Sequence, residues 1–198
     1  MKSLVTVVAV IVFGLSNVST SAQYFGVEAD FGISNVFISN PRAVGFNPLL
    51  SAKIGGTVDF DIADNFYLHT GLGFSKKGAA TLDDGNLNFF YIQVPIGARF
   101  SFVEIGAESS LYAEAGLYTG VLLSAKFNGF KQDVGNTTLD DWKPLDLGLY
   151  TGVGFAINDA IDVGFATEFG LLNIDPEQSV FSFKNAAFML GANFRFGI

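Results

Sequence analysis

The chain has 198 residues, a length for one domain, with no cysteine and a formal net charge of -8 from 11 Lys and Arg against 19 Asp and Glu. The missing cysteines exclude disulfides and thiolate metal sites, and the acidic balance argues against nucleic acid, whose phosphates need a basic surface. Only 15% of residues are charged, against roughly 25% in soluble domains, while Gly and Phe are plentiful at 23 and 22.

Lys2 precedes an apolar stretch over residues 4–15, a polar stretch over 17–21, and the small-residue site Thr20-Ser21-Ala22. This order predicts a cleaved secretory signal over 1–22 and a mature domain over 23–198. A retained membrane helix is the alternative, but about a dozen apolar residues fall short of the ~20 that span a bilayer. No later run is long enough either.

From Gln23 onward the hydrophobic period is two. In the first segment Phe25, Val27, Ala29, Phe31 and Ile33 share one parity, with Glu28, Asp30, Gly32 and Ser34 on the other. Such alternation marks a strand with one apolar face. The second segment alternates Leu50, Ala52, Ile54 and Val58 with Lys53, Thr57, Asp59 and Asp61; the third sets Phe66, Leu68, Leu72 and Phe74 against Tyr67, His69, Gly71 and Ser75. The fourth sets Ile92, Val94, Ile96 and Phe100 against Tyr91, Gln93, Pro95 and Arg99, and the fifth Ala113, Leu117 and Val121 against Tyr112, Glu114 and Tyr118. The sixth, seventh and eighth repeat the pattern, with Asp146 and Tyr150, then Asp162 and Glu168, then Asn193 and Arg195 on the polar parity.

The connections alternate too. Residues 63–65, 103–110 and 158–160 are short; 36–48, 76–86, 125–144 and 173–182 are long, polar, and bear Gly or Pro. Eight bilayer-length strands with short turns on one rim and long loops on the other predict an all-β fold, an eight-stranded antiparallel up-and-down transmembrane β-barrel with periplasmic turns and extracellular loops. Closure is required because hydrocarbon offers no partner to an open strand edge.

A soluble eight-stranded barrel would alternate as well, with its apolar face inward around a ligand. Two features decide against it. The apolar parity is almost pure Phe, Leu, Ile, Val and Ala, whereas the other parity holds the charges and many glycines, which suit a crowded lumen. All six Tyr fall on the polar parity while most strand Phe residues fall on the apolar one. A phenol hydroxyl in hydrocarbon costs several kcal/mol unless paired. The domain is therefore placed in the outer membrane, with outer-membrane lipid, lipopolysaccharide and the barrel-assembly machinery as expected partners.

The predicted lumen network is Glu28, Asp30, Lys53, Asp59, Asp61, His69, Arg99, Glu114, Asp162, Glu168 and Arg195, with Asp146 beside them. Arg99 and Glu114 lie at matching distances from the turn between their strands, so they should be cross-strand neighbours. Arg195 is expected to face Glu28 or Asp30 across the closing seam. Such a set either fills the lumen with ion pairs or lines an ion path; the narrow bore of eight strands favours filling. His69, the single histidine, reads as a lumen hydrogen-bonding group in preference to a general base, since no Ser motif accompanies it. No catalytic residue, metal site or cofactor is predicted. Asp83-Asp84 and Asp140-Asp141 read as turn-forming loop residues in preference to Ca²⁺ ligands. In the longest loop Phe127, Phe130 and Trp142 are candidates for gripping a partner or resting on lipid headgroups.

The fourth segment reads Tyr91-Ile-Gln-Val-Pro95-Ile-Gly97-Ala-Arg99-Phe100, the fifth Tyr112-Ala-Glu114-Ala-Gly116-Leu-Tyr118, and the sixth Asp146-Leu-Gly148-Leu-Tyr-Thr-Gly152-Val-Gly154. This succession resembles the PorT-like outer-membrane β-barrel domains common in Bacteroidota, over nearly all of the mature chain. The resemblance implies an outer-membrane barrel and, through a family member implicated in protein secretion and gliding, an association with envelope machinery. The C-terminal alternation Phe194, Phe196, Ile198 departs from that of most barrels in ending on Ile instead of an aromatic residue.

Overall fold

The computed structural model describes residues 23–38, 46–82, 85–105, 109–158, 160–177 and 181–197. The predicted signal segment, Asp83, Asp84, Asp159 and Ile198 lie outside the described residues. The strands are β1 (Gln23–Ile38), β2 (Asn47–Ala63), β3 (Phe66–Ala80), β4 (Asn86–Glu104), β5 (Ser110–Phe127), the short β6 (Phe130–Gln132), β7 (Leu145–Ile157), β8 (Ile161–Gly170) and β9 (Phe183–Gly197). Each wall strand pairs antiparallel with the next, β5 pairs with β7, and β9 returns to β1, which closes an eight-stranded up-and-down barrel. β6 forms a hairpin with the loop end of β5, at residues that also pair with β4.

The alternation is inside out. Val27, Phe31, Leu50, Ile54, Leu72, Ile92, Leu149, Phe165 and Leu190 stand exposed on the outer wall, while Asp59, His69, Lys77, Arg99, Asp146 and Asp162 are buried. Phe60, on the outer parity, is buried and is an exception. No helix among the described residues is long and apolar enough to cross a membrane; the crossing elements are strands, whose backbone groups are satisfied by closure.

Local sequence explains the joints. Asp64-Asn65 turns β2 into β3 with Asn65 at φ 64°, and Asn158 takes φ 51° between β7 and β8; asparagine tolerates this left-handed region. Asn128 and Gly129 take φ 50° and 86°, the two positive angles of the tight hairpin turn that Asn-Gly favours, and this turn makes β6. Pro95 stands in an interior strand, where proline is rare because it cannot donate to the ladder. The β3–β4 pairing is interrupted between Thr70/Ile96 and Gly73/Gln93, and the Thr70 hydroxyl donates to the Pro95 carbonyl at 2.8 Å.

The strands run further into the loop rim than the charge pattern predicts. β3 continues through Lys76 and Lys77 to Ala80, and the read loop over 76–86 shrinks accordingly. The reason lies across the lumen, where Lys77 finds a counter-ion.

Candidate functional site

The lumen is filled in tiers. Nearest the turn rim is a layer centred on Arg99 of β4, which is 4% exposed. Its guanidinium donates to Asp162 at 2.7 Å, to Glu114 at 3.0 and 3.2 Å, and to Asp59 at 3.4 Å. Tyr112 lies beneath the guanidinium, with its ring centre at 4.3 Å. Asp59 also bonds His69 Nδ1 at 2.6 Å, and Asp162 passes the connection to Arg195 at 3.0 Å. Arg99 and Glu114 are opposite in the β4–β5 register, as their spacing from the turn predicts.

Above this layer Lys53 of β2 bridges Glu28 at 3.2 Å and Asp30 at 3.3 Å, both on β1. Between the tiers is a cavity of about 50 Å³ bordered by Glu28, Lys53, His69, Arg99, Tyr150 and Glu168. At ~10–15 Å³ per water, it is large enough for a few waters.

The next tier centres on Lys77 of β3, 1% exposed. Its ammonium contacts Glu168 and stands over the Tyr118 ring at 4.1 Å. Gln93 donates to Glu168 at 2.7 Å; Asn185 donates to Tyr91 and to Asp146, both at 2.9 Å; and the Tyr118 hydroxyl donates to Asp146 at 3.2 Å.

An apolar cap closes the loop mouth. Val36, Ala79, Leu87, Phe89, Leu122, Ala125 and Ile174 form it with Phe46, Val134, Trp142 and Phe183 against them. Trp142 meets Phe89 edge-on at 4.8 Å and Phe183 at 6.2 Å. The loops are laced over the mouth: the Lys143 amide donates to the Ile174 carbonyl, the Leu122 amide to Pro144, and the Gly135 amide to Trp142. In the outermost part the Thr137 amide and hydroxyl both donate to Asp140, which holds its carboxyl below the usual carboxylate range.

Several placements differ from expectation. Arg195 does not meet Glu28 or Asp30. The seam sets it opposite Gly26, with Asn193 and Gly191 opposite the two carboxylates, so Lys53 takes those and Arg195 turns to Asp162 on β8. Asp61 sits beside Tyr67 near the turn rim and has no ion pair among the described residues. Trp142 is not a free loop aromatic; it is held in the cap, while Phe127 and Phe130 lie on the β5–β6 hairpin, with Phe130 77% exposed. Besides Phe130, the apolar loop residue Leu139 is 92% exposed, and the sequence reading did not single it out. Lys77 and the cap were also missed, while Gln93 and Asn185, both on the predicted inward parity, were not counted in the network. The Asn128-Gly129 signal for the extra hairpin was present in the chain.

A polar lumen inside an apolar wall is the arrangement of a barrel in lipid. A family described as "Outer membrane protein beta-barrel domain" matches residues 16–175. The chain belongs to that outer-membrane β-barrel family. Among solved structures this β-barrel domain is similar to neisserial surface protein A, at 15% identity and a TM-score of 0.55, covering 87% of this chain and 97% of that one. It is also similar to the outer membrane protein OprG from Pseudomonas aeruginosa, at 11% identity and a TM-score of 0.51, covering 89% and 97%. At these identities the likeness is one of fold. No curated protein matches the chain in sequence. As a member of the outer-membrane β-barrel family, the protein turns its Phe, Leu and Val rows to acyl chains and its charged rows to the axis.

Proposed function

We propose that this outer-membrane barrel is non-conducting and non-enzymatic, and serves the envelope as a structural and interaction protein through its loop rim. The observation that carries this reading is the filled lumen. The Arg99 layer, the Lys77 tier and the Trp142 cap succeed one another along the axis, and the cavity above the Arg99 layer is large enough for a few waters. His69 is turned into the first layer and bonded to Asp59, away from the lipid that an outer-membrane lipid enzyme would have to reach.

With the bore closed, the surfaces left for function are the wall and the loops. Phe130 and Leu139 project from the loop side with little cover, and exposed apolar residues of this kind serve as anchors in interfaces. The PorT-like motif over 91–100 supports a place beside secretion or other envelope proteins. Export by a cleaved segment 1–22 belongs to the same proposal.

Two measurements test it. In planar bilayers the purified protein should give no current steps, and reproducible unitary conductance at neutral pH would overturn the closed-lumen reading in favour of a small pore. In cross-linked envelopes, Phe130→Ser with Leu139→Ser should remove captured partners while leaving heat-modifiable gel migration unchanged. Capture equal to wild type would show that the hairpin and loop do not act as the contact.

A further inference from the structure

We infer that Lys76, Lys126 and Lys131 form an outward basic ledge that binds the phosphorylated headgroup of an anionic glycolipid in the outer leaflet. The inference starts from where the cations are. Lys53, Lys77, Arg99 and Arg195 are in the lumen, and every one is ion-paired. The other described cations, Lys76, Lys126, Lys131, Lys143 and Lys184, all belong to the loop half of the molecule. Of these, Lys76, Lys126 and Lys131 gather on one wall. Lys76 is opposite Phe90 in the β3–β4 register, Lys126 stands over the Phe90 ring at 5.8 Å, and Lys131 is opposite Lys126 in the β5–β6 pairing.

Their level is set by the aromatics below. Phe74 and Phe90 stack at 6.1 Å on the outer wall, and Lys76 is the next outward position on β3 after Phe74. From Phe66 to Phe74 the outer face of β3 rises about 20 Å at ~3.3 Å per residue and a tilt of roughly 40°. The apolar band of such barrels is ~25 Å tall, so the three ammonium groups emerge at the headgroup layer.

None of the three has a carboxylate within ion-pair distance among the described residues, in a chain whose net charge is -8. Lys126 and Lys131 face each other directly across two strands, and like charges so placed destabilise a sheet. A phosphate set over the ledge removes that repulsion, and the acyl chains below it lie along Phe74 and Phe90. The charge complementarity and the membrane level together select a lipid phosphate as occupant.

The test uses the full mature barrel in phosphatidylcholine nanodiscs doped with bis-phosphorylated lipid A, with bound lipid counted by native mass spectrometry. Lys76→Gln/Lys126→Gln/Lys131→Gln should lower lipid A retention about 10- to 100-fold, from roughly a tenfold or smaller loss per lysine at a charged surface. Lys184→Gln, on a different wall, should match wild type. Dephosphorylated lipid A should bind wild type no better than it binds the triple variant. Folding of each variant is read by heat-modifiable migration. Equal retention by the triple variant, equal loss in Lys184→Gln, or tight binding of dephosphorylated lipid A would each overturn the site. If inorganic pyrophosphate binds the ledge as tightly as lipid A does, the occupant is a free phosphate and the lipid assignment fails.

Discussion

Replacing Arg99 with leucine is expected to cost about 3–5 kcal/mol of barrel stability, the loss seen when one side of a buried ion pair is removed. Arg99 has three carboxylate partners, Asp59, Glu114 and Asp162. Their mutual attraction is not the main issue, because burying ions costs nearly as much as pairing them returns. The loss arises from what remains: three buried carboxylates, with Arg195 on Asp162 and the His69 ring on Asp59 as their contacts in this layer. Urea unfolding in phospholipid vesicles, followed by tryptophan emission and gel mobility, measures the effect. Arg99→Lys should recover part of the stability, since an ammonium keeps the charge but cannot reach three acids with a planar fork. Adding Glu114→Gln to Arg99→Leu should also recover part, by removing one orphaned charge. If Arg99→Leu unfolds at the wild-type urea concentration, the layer contributes no stability and the lumen is better hydrated than its geometry indicates.

The second large effect is at Gly97. A Cβ there would run into the Tyr150 hydroxyl and the Ala115 carbonyl, and would lie 2.8 Å from the Gly116 Cα. Backbone on one side and a ring on the other leave nowhere to yield, so Gly97→Ala should cost about 1–3 kcal/mol or more. Gly154 offers a contrast, because the atoms nearest its Cβ all belong to the Tyr112 ring. Gly154→Ala should therefore be repaired by Tyr112→Leu, whereas Tyr150→Leu should repair Gly97→Ala only in part. Gly56→Ala, whose nearest neighbour is 3.8 Å away on the outer wall, should change stability by less than ~0.5 kcal/mol. A double-mutant cycle on each pair provides the measurement. Equal costs at Gly97 and Gly56 would refute the idea that lumen glycines are sockets for tyrosine rings.

The strand alternation was legible because lipid demands a nearly pure apolar face, and Phe31, Ile54, Leu72 and Ile92 supply it without interruption. The Arg99–Glu114 pair was legible because a short turn fixes register locally. The partner of Arg195 was not, because it depends on the stagger of a seam closed between residues at opposite ends of the chain. Lys76-Lys77 reads as loop from composition; the pairing of Lys77 with Phe89 on β4, and Glu168 brought across the bore by closure, hold Lys77 as a strand residue. Trp142 reads as an exposed loop aromatic until Phe89 and Phe183 are known to be beside it. In each failure the deciding contact is long-range, and no local pattern encodes it.

The Arg99 layer also bears on how such a cylinder is put together. Its acids come from β2, β5 and β8, and Asp162 links onward to Arg195 on β9. Residues spaced from 59 to 195 must meet before the last of these charges is neutralised. A half-threaded chain in hydrocarbon would hold stranded ions, so electrostatics penalises every stopping point between the uninserted polypeptide and the finished stave ring, and insertion becomes close to all-or-none.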